Sequence, residues 1–153
     1  MRKLNPAYVD VFTNYVNACP YFQLLSIHLD GIRSGKSYLD LEIHPKHMQP
    51  FGIIHGGVCA SLIEAAVFWA VHSQIPDDIS LTTVELKLNY LAAVSTGSLR
   101  VNGDSLKIGK TLCLGQAHVT DAKGRDVAHG TATMMLLHNK PWDLPDLPQK
   151  FID

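Results

Sequence analysis

Residues 49–71 have the sequence QPFGIIHGGVCASLIEAAVFWAV, and the fold is organised around this stretch. Residues 58–71 lack Pro and Gly and are apolar at nearly every position, which predicts a helix buried on almost all sides. A run of about 14 residues is too short for a membrane span, which requires ~20. The stretch therefore predicts a central helix inside a globular domain.

Glu64 lies in the middle of this helix and is the only Asp, Glu, Lys or Arg between Lys46 and Asp77. Burying a carboxylate that has no partner is costly, and no cation lies nearby in sequence to pair with it. One interpretation is structural: Glu64 joins a hydrogen-bond network or reaches solvent at the helix edge. The other interpretation is a carboxylate retained for chemistry.

The composition is that of an ordinary globular protein. Of 153 residues, 46% are hydrophobic and 18% are charged, and the net charge of −1 gives no case for binding nucleic acid or an anionic membrane. The first residues contain no apolar segment typical of a signal peptide. Three scattered cysteines, Cys19, Cys59 and Cys113, predict reduced thiols rather than a disulfide framework, and hence a cytoplasmic protein.

The order of elements predicts an α+β fold in a single domain over residues 1–153. We predict an N-terminal helix within residues 1–20, over 5–17 and ended by Pro20, and an extended tail over 139–153 at least partly off the core. Short polar connections between strands indicate hairpins and an antiparallel sheet. The predicted strands cover residues 24–32, 36–43, 81–91, 98–106, 111–120 and 127–137. Such a sheet can wrap the central helix on one side, and a second copy of the chain could help to close the rest.

The string from Gly52 to Gly57, Gly-Ile-Ile-His-Gly-Gly, with an acid nine residues beyond its His, resembles the hotdog-fold acyl-CoA thioesterases. The most similar groups are the PaaI-type and 4-hydroxybenzoyl-CoA thioesterases, and the resemblance covers roughly residues 24–138. It implies a hotdog fold, in which an antiparallel sheet wraps a long central helix. It also implies homodimers, often paired into homotetramers, with active sites at the dimer interface. The substrate would be an acyl-CoA, with coenzyme A as part of the substrate and no separate cofactor.

The resemblance also assigns roles to individual residues. Glu64 matches the helix carboxylate that attacks the thioester or activates water, and the amide of Gly56 matches the group that polarises the thioester carbonyl. His55 matches a position that mostly orders the loop. Gln49 matches a polar position before the helix, and Thr83 matches a Ser or Thr that helps to hold water.

Further candidates have weaker support. A bulge or shifted register would put Thr82 in place of Thr83, and Phe68 replaces a small polar residue of some hydroxybenzoyl-CoA enzymes, which disfavours a hydroxyaromatic substrate. Three further kinds of residue are substrate-binding candidates. Gly57 lacks a Cβ and would let the thioester carbonyl approach the backbone, and the aromatic Phe51 could line the acyl pocket. The cations predicted in hairpin loops, Lys107, Lys110 and Arg125, could bind the phosphates of coenzyme A. The aromatics could equally be core residues, and the cations could be solvated turn residues.

The spacing of Gly56 and Glu64 has a consequence that does not depend on the resemblance. At about 1.5 Å per residue, eight helical residues separate them by about 12 Å, so one thioester carbon cannot touch both. If both groups act, Glu64 must come from another copy of the chain. The sequence therefore predicts a composite site and at least a homodimer.

Two other functions fit the same fold. A hydroxyacyl dehydratase or enoyl hydratase pairs a catalytic His with an acid in a different spacing, within a His-Phe-Pro type loop. His44-Pro45 resembles that loop only weakly and is too far from Glu64 in the sequence. A non-catalytic acyl-CoA-binding protein is the second alternative, although the segment before the first strand leaves no room for a DNA-binding unit. We expect no metal site, because the spacing of His44, His47 and His55 matches no zinc motif.

Overall fold

The structure is a computed structural model that describes residues 3–138, 144 and 146–152. Its helices and strands follow one another along the chain with short connections. They are β1 (Lys3–Leu4), α1 (Pro6–Asn17), α2 (Pro20–Leu25), β2 (Ile27–Arg33), β3 (Lys36–Glu42), α3 (Gly56–His72), β4 (Ile79–Tyr90), β5 (Ser98–Ile108), β6 (Leu112–Asp121), β7 (Asp126–His138) and β8 (Phe151–Ile152). A single 3₁₀ turn, Pro45–His47, precedes α3.

Six strands form one antiparallel sheet in the order β2-β3-β5-β6-β7-β4. The sheet wraps α3, which contacts β3, β4, β5, β6 and β7. Most side chains of α3 are buried, and those of Leu62, Ile63 and Val67 are completely so. The predicted α+β architecture, an antiparallel sheet around a long central helix, is confirmed.

The sheet approaches the backbone of α3 closely at Gly103 of β5. A Cβ at this position would collide with the carbonyl oxygen of Ala66 and lie 2.5 Å from Oγ of Ser37. Ser37 is itself completely buried and donates a hydrogen bond of 2.6 Å to the same Ala66 carbonyl. Glycine is therefore required here because the backbone of α3 occupies the space that a side chain would need.

We expect Gly103→Ala to destabilise the fold by about 2–3 kcal/mol, as overpacking of a rigid core does. The obstacle is helix backbone, which cannot move aside as the end of a side chain can. Chemical denaturation followed by circular dichroism measures the change. Gly31→Ala is the matched control, since nothing lies within 4 Å of its Cβ position. Equal midpoints for the two variants would contradict the close approach.

The predicted strand over residues 24–32 is wrong at its start. Residues Pro20–Leu25 form α2, and Ser26 ends this helix in the left-handed conformation with φ of 55°. The strand then begins at Ile27. Pro20 stops one helix and starts the next, because proline is excluded from a helix interior but fits its first turn.

The central helix begins two residues earlier than predicted, at Gly56 rather than Val58. His55 is its N-cap residue, with an extended backbone and a side chain that accepts a hydrogen bond from the first turn. The Gly-Gly pair is therefore part of the helix and carries its first amides.

Strict alternation along the predicted strand 81–91 would put Val84, Leu86, Leu88 and Tyr90 on one face, but a β-bulge in β4 removes Val84 from this set. Thr83 pairs with Met134 and Glu85 pairs with Thr133, so Val84 is the extra residue. Val84 is 51% exposed, whereas Leu86 and Leu88 pack against the core. The bulge lets Thr83 before it and Leu86 after it both point toward α3.

Part of the predicted tail is in contact with the rest of the domain. Residues 139–143, 145 and 153 lie outside the described part, but β8 pairs with β1, and Lys150 is completely buried. The Lys150 Nζ donates a hydrogen bond of 2.8 Å to the carbonyl of Ile75. Residues 150–152 of the predicted tail are therefore held against the rest of the domain.

Candidate active site

The N-terminus of α3 presents a backbone amide that the fold leaves free. The His55 Nδ1 accepts a hydrogen bond of 2.9 Å from the Gly57 amide, which occupies that donor. The amide of Gly56, one residue earlier, makes no hydrogen bond within the described residues. Because the first amides of a helix carry the positive end of its dipole, Gly56 offers a donor to a developing negative charge.

A tight loop carries Gln49 to this helix end. The Gly52 amide donates to the Gln49 carbonyl at 3.1 Å, and Gly52 has a φ of 80°, which favours glycine. The Gln49 side-chain oxygen accepts from the amide of Phe51, so its NH₂ group is the part left for other partners. His47 supports the loop, since its Nε2 hydrogen-bonds the Leu25 carbonyl at 2.7 Å and burial lowers its pKa.

A cavity of about 470 Å³ opens at this helix end. Its walls come from the loop before α3, the first turns of α3 and the end of β4. The lining residues are Gln49, Ile53, Ile54, His55, Gly56, Gly57, Cys59, Tyr90, Leu91, Ala92, Ala93 and Val127. Gln49, His55, Gly56 and Gly57 were all site candidates from the sequence, and the fold brings them together.

Tyr90 is a lining residue that sequence reasoning did not identify as part of the site. The tip of its ring lies where a Gly56 side chain would be, with Cζ, Cε1 and Oη at 2.8, 2.9 and 2.9 Å from the ideal Cβ position. Strand periodicity placed Tyr90 on the same face as Leu86 and Leu88. Its position over Gly56 depends on how β4 packs against α3, for which the sequence carries no signal.

Glu64 is half-buried and lies two turns further along α3. The Thr83 Oγ1 donates a hydrogen bond to its Oε1. Within the described residues Glu64 forms no ion pair, so no cation neutralises it. Thr82 pairs with Met135 and alternates to the opposite face of the sheet, so Thr83, and not Thr82, reaches the carboxylate.

Glu64 belongs to a stripe on α3 that the sheet does not cover. The stripe consists of Gly57, Ala60, Ser61, Glu64 and Phe68, which are at least partly exposed. All remaining residues of α3 from Val58 to His72 are buried. At the edge of this α3 stripe, the hydroxyl of Tyr21 in α2 forms a hydrogen bond of 2.7 Å with the hydroxyl of Ser61. The Tyr21 side chain is 55% exposed. The stripe is therefore an open face of an otherwise enclosed helix.

The aromatic candidates are not in the cavity wall of a single chain. Phe68 is half-buried, packs edge-on against Trp69 at 4.8 Å and lies on the α3 stripe one turn after Glu64. Phe51 is 89% exposed at the tip of its loop. A single exposed apolar side chain is normal on a protein surface, so this exposure alone assigns no role to Phe51.

Of the candidate cations, Arg125 is nearest to the cavity. It donates a hydrogen bond of 3.1 Å to the carbonyl of Ala93, a lining residue, and pairs with Asp121 at 3.0 Å. Backbone and side-chain hydrogen bonds from Arg125 and Lys123 lower the pKa of Asp121. Lys107 and Lys110 are exposed at the β5–β6 hairpin and do not line the cavity.

The thiol of Cys59 lies in the cavity wall but is not prepared for nucleophilic attack. Burial raises its pKa to about 11, so it is protonated at neutral pH. Among the residues that the structure describes, no group of three or more His, Cys, Asp or Glu could hold a metal ion. In the same part of the chain, no helix has the length and apolar character needed to cross a membrane.

A central helix wrapped by an antiparallel sheet, with a free amide at its start and an acid in its middle, defines a hotdog-type thioesterase architecture. The chain belongs to the thioesterase superfamily, whose family model matches residues 51–128, about half of its length. It is accordingly a thioester hydrolase.

Individual relatives agree with this assignment. The chain is 33% identical over 100 residues to a 1,4-dihydroxy-2-naphthoyl-CoA hydrolase of Listeria monocytogenes, covering 65% of this chain and 80% of that protein. The conserved protein PA5202 of Pseudomonas aeruginosa is 26% identical, with a TM-score of 0.74 over 78% of this chain and 94% of that one. Thioesterase HI1161 of Haemophilus influenzae has the same fold, with a TM-score of 0.82 at 15% identity over 94% of this chain and 100% of that one.

Proposed function

We propose that this thioester hydrolase is an acyl-CoA thioesterase whose active site is shared by two copies of the chain. The observation that carries the proposal is the separation of its two chemical groups. The free Gly56 amide opens into the cavity, whereas Glu64 lies about 12 Å along the same helix, on the α3 stripe. The two groups can meet at one carbonyl only if Glu64 comes from the partner copy.

In this composite site, the thioester oxygen accepts a hydrogen bond from the Gly56 amide, which stabilises the negative charge formed when the carbonyl is attacked. Glu64 of the partner copy acts in one of two ways. As a general base it takes a proton from water while the water oxygen attacks the carbonyl carbon. As a nucleophile it attacks the carbon itself and forms a mixed anhydride, which water then hydrolyses. In both cases the carbon–sulfur bond breaks, and the products are a carboxylic acid and the thiol of coenzyme A.

The geometry of the α3 stripe supports such a dimer. In a two-fold dimer with antiparallel helices, Gly56 of each copy faces Glu64 of the other only if the axis passes midway between them, at Ala60. Gly57, Ala60 and Ser61 are the small residues at this point, and small side chains allow two helices to approach closely. Strand β4 also ends the sheet and pairs only with β7 among the described residues, so its free edge is open to a second copy.

We therefore expect Ala60→Cys to form a disulfide between two copies on mild oxidation. Helix axes about 8–10 Å apart bring facing Cα atoms to about 3.5–5.5 Å, which overlaps the separation that a disulfide requires. Non-reducing electrophoresis should show mostly covalent dimer that a reductant returns to monomer.

Cys59 and Cys113 are buried, and the half-buried Cys19 is replaced by Ser in both variants so that it cannot cross-link. Ala7→Cys, on the exposed first turn of α1, is the matched control and should remain monomeric on the gel. Equal cross-linking of the two variants, or none in Ala60→Cys, would contradict the proposed axis.

Two observations bear on the nature of the acyl group. The relative named a 1,4-dihydroxy-2-naphthoyl-CoA hydrolase supports a CoA thioester and makes a bicyclic aromatic acid one candidate. Phe68 places an apolar ring one turn after Glu64, which favours an acyl group without a hydroxyl at that point. Arg125, held at the cavity edge, is the best-placed cation for the phosphates of coenzyme A, and Lys107 and Lys110 would have to act from another copy. We expect dimers that pair further into a tetramer, and a cytoplasmic enzyme.

The test is a panel of acetyl-CoA, hexanoyl-CoA, benzoyl-CoA and 1,4-dihydroxy-2-naphthoyl-CoA, read by release of free thiol. Turnover of at least one member at more than about 10³-fold above the uncatalysed rate supports the proposal. Hydration of an enoyl-CoA without thiol release would instead indicate a hydratase. Tight binding of acyl-CoA without any turnover would indicate a binding protein.

A further inference from the structure

The side chain of Tyr90 reaches the Gly56 amide from the opposite wall of the cavity. Three atoms at the tip of its ring, Cζ, Cε1 and Oη, lie 2.8–2.9 Å from the ideal Cβ position of Gly56. The edge of the ring that carries the hydroxyl therefore lies over Gly56. Tyr90 is 59% exposed, and its hydroxyl makes no hydrogen bond within the described residues, so this donor is free.

The two free donors are close enough to share one acceptor. A Cβ lies about 2.5 Å from the backbone nitrogen of its own residue, and Oη is 2.9 Å from that Cβ position. The separation of the Tyr90 hydroxyl from the Gly56 amide nitrogen is therefore at most about 5.4 Å. Two hydrogen bonds of about 2.9 Å span up to about 5.8 Å, so a single oxygen can accept from both groups.

Only one of the first two amides of α3 is left for the substrate, because the Gly57 amide already donates a hydrogen bond to His55. The Gly57 amide is hydrogen-bonded to the His55 side chain, which leaves the Gly56 amide as the free donor of the first two. In many acyl-transfer sites, two or more donors surround the oxyanion, and removal of one lowers kcat by about 10²–10³-fold. The Tyr90 hydroxyl is a group of the correct type in the correct place.

We propose that the Tyr90 hydroxyl is the second donor of the oxyanion hole and acts on the same thioester oxygen as the Gly56 amide. This inference rests on the proposed function. The hydroxyl stays protonated throughout: it donates a hydrogen bond to the oxygen as the tetrahedral intermediate forms. It continues to donate while the carbonyl re-forms and the thiolate of coenzyme A leaves. No proton passes from Tyr90 to the substrate.

The first test is Tyr90→Phe, assayed with benzoyl-CoA and hexanoyl-CoA. Since the lost hydrogen bond is strongest in the transition state, we expect kcat to fall about 10–100-fold, with KM changed less than about 3-fold. Tyr38→Phe is the matched control, because Tyr38 lies on β3 outside the cavity, and it should keep wild-type kinetics. A rise in KM at constant kcat would overturn the proposal, since it would make Tyr90 a binding residue only.

A second variant separates a donor from a merely structural side chain. A methyl group at Gly56 would displace the Tyr90 ring, so Gly56→Ala already removes the hydroxyl from the oxyanion. In the Gly56→Ala background, Tyr90→Phe should therefore lower kcat less than about 3-fold further. A full effect of about 10–100-fold in both backgrounds would show that the hydroxyl acts elsewhere and would overturn the proposal.

The two levels of inference fail differently. If the wild-type protein releases no thiol from any acyl-CoA of the panel, both the proposed function and the role of Tyr90 are overturned. If the wild type hydrolyses benzoyl-CoA or hexanoyl-CoA and Tyr90→Phe has the same kcat within about 2-fold, only the role of Tyr90 is overturned. Circular dichroism and thermal unfolding of Tyr90→Phe should match the wild type, because the ring is retained.

Discussion

Replacing Glu64 by Gln is expected to lower kcat about 10³-fold or more with any acyl-CoA that the wild-type enzyme hydrolyses. The change removes the one carboxylate on the α3 stripe while keeping the size and shape of the side chain. An amide can neither take a proton from water nor form an anhydride, so both possible roles of Glu64 are lost. Steady-state kinetics by thiol release measures the effect.

The surroundings of Glu64 make this substitution a clean one. The glutamine side chain of the variant would still present an oxygen to the hydroxyl of Thr83, which in the wild type donates to the Glu64 carboxylate. No ion pair would be broken, since Glu64 has none within the described residues. We therefore expect the fold and KM to change little, because the loss belongs to the chemical step.

Glu85→Gln is the matched control. Glu85 is an exposed carboxylate on the outer face of β4, only two residues beyond Thr83, and accepts a hydrogen bond of 3.1 Å from Thr133. This variant should keep wild-type activity. Near-normal hydrolysis by Glu64→Gln would refute the assignment of Glu64. If that assignment holds, a single turnover in water enriched in oxygen-18 tests the anhydride route, since label found in the Glu64 carboxylate would identify it as the nucleophile.

The sequence was informative where burial alone decides structure. The nearly uniform apolar run predicted α3, and the polar breaks between alternating segments predicted the antiparallel sheet. The lone charge at Glu64 was visible for the same reason, because an acid in an apolar helix contradicts its surroundings. These features depend on periodicity and composition, which are local properties of the chain.

The features that the sequence did not predict depend on contacts between distant segments. Thr83 was the residue that the resemblance matched, but the bulge at Val84, which puts Thr83 and Leu86 on the same face, is set by the pairing of β4 with β7. Tyr90 looked like an ordinary strand residue until packing placed it over Gly56. Neither contact leaves a mark in the local pattern of residues.

Lys150 is the largest departure of this kind. A lysine in a proline-rich terminal segment is expected in solvent, but its side chain is completely buried. Its Nζ lies 5.8 Å from the ring centre of Tyr8, 5.5 Å from that of Phe151 and 4.0 Å from the carboxylate of Asp77. The antiparallel pairing of β1 with β8 holds this segment in place. The side-chain amide of Asn5 also donates a hydrogen bond to the carbonyl of Gln149.

We expect Lys150 to make the protein more stable as the pH rises from 7 to 8.5, by about 1.5 kcal/mol. Burial lowers the pKa of its amine to about 7, although the charge of Asp77 opposes the shift. In the unfolded chain a lysine has a pKa of about 10.4. Between these two values the unfolded state holds a proton that the folded state has released. The free energy of unfolding therefore increases with pH, by at most about 1.4 kcal/mol per unit.

Between pH 7 and 8.5 Lys150 is expected to make the largest contribution of the buried groups to the change in stability. Burial, and secondarily the charge of Lys150, lowers the pKa of His72 well below its usual value. The contribution of His72 to the free energy of unfolding therefore changes at a more acidic pH than this window. Burial also raises the pKa values of Tyr8, Cys59 and Cys113. Such acids reduce stability as the pH approaches and passes their unfolded pKa values, about 10 for tyrosine and 8.5 for cysteine, so each buried thiol offsets only about 0.4 kcal/mol at pH 8.5. Urea denaturation at pH 7.0, 7.5, 8.0 and 8.5 measures the slope.

Lys150→Met supplies the decisive comparison, because methionine fills similar space without a titrating group. The increase in the free energy of unfolding with pH should be smaller in this variant by about 1.5 kcal/mol over the window. Lys123→Met, in the exposed β6–β7 turn, is the control and should retain the wild-type slope. Burial is the larger cause of the lowered pKa of His72, so His72 should titrate below this window in Lys150→Met as well. Equal slopes in wild type and Lys150→Met would therefore mean that the buried amine keeps its proton on folding. Asp77 would then have to compensate the charge more strongly than its 55% exposed side chain suggests.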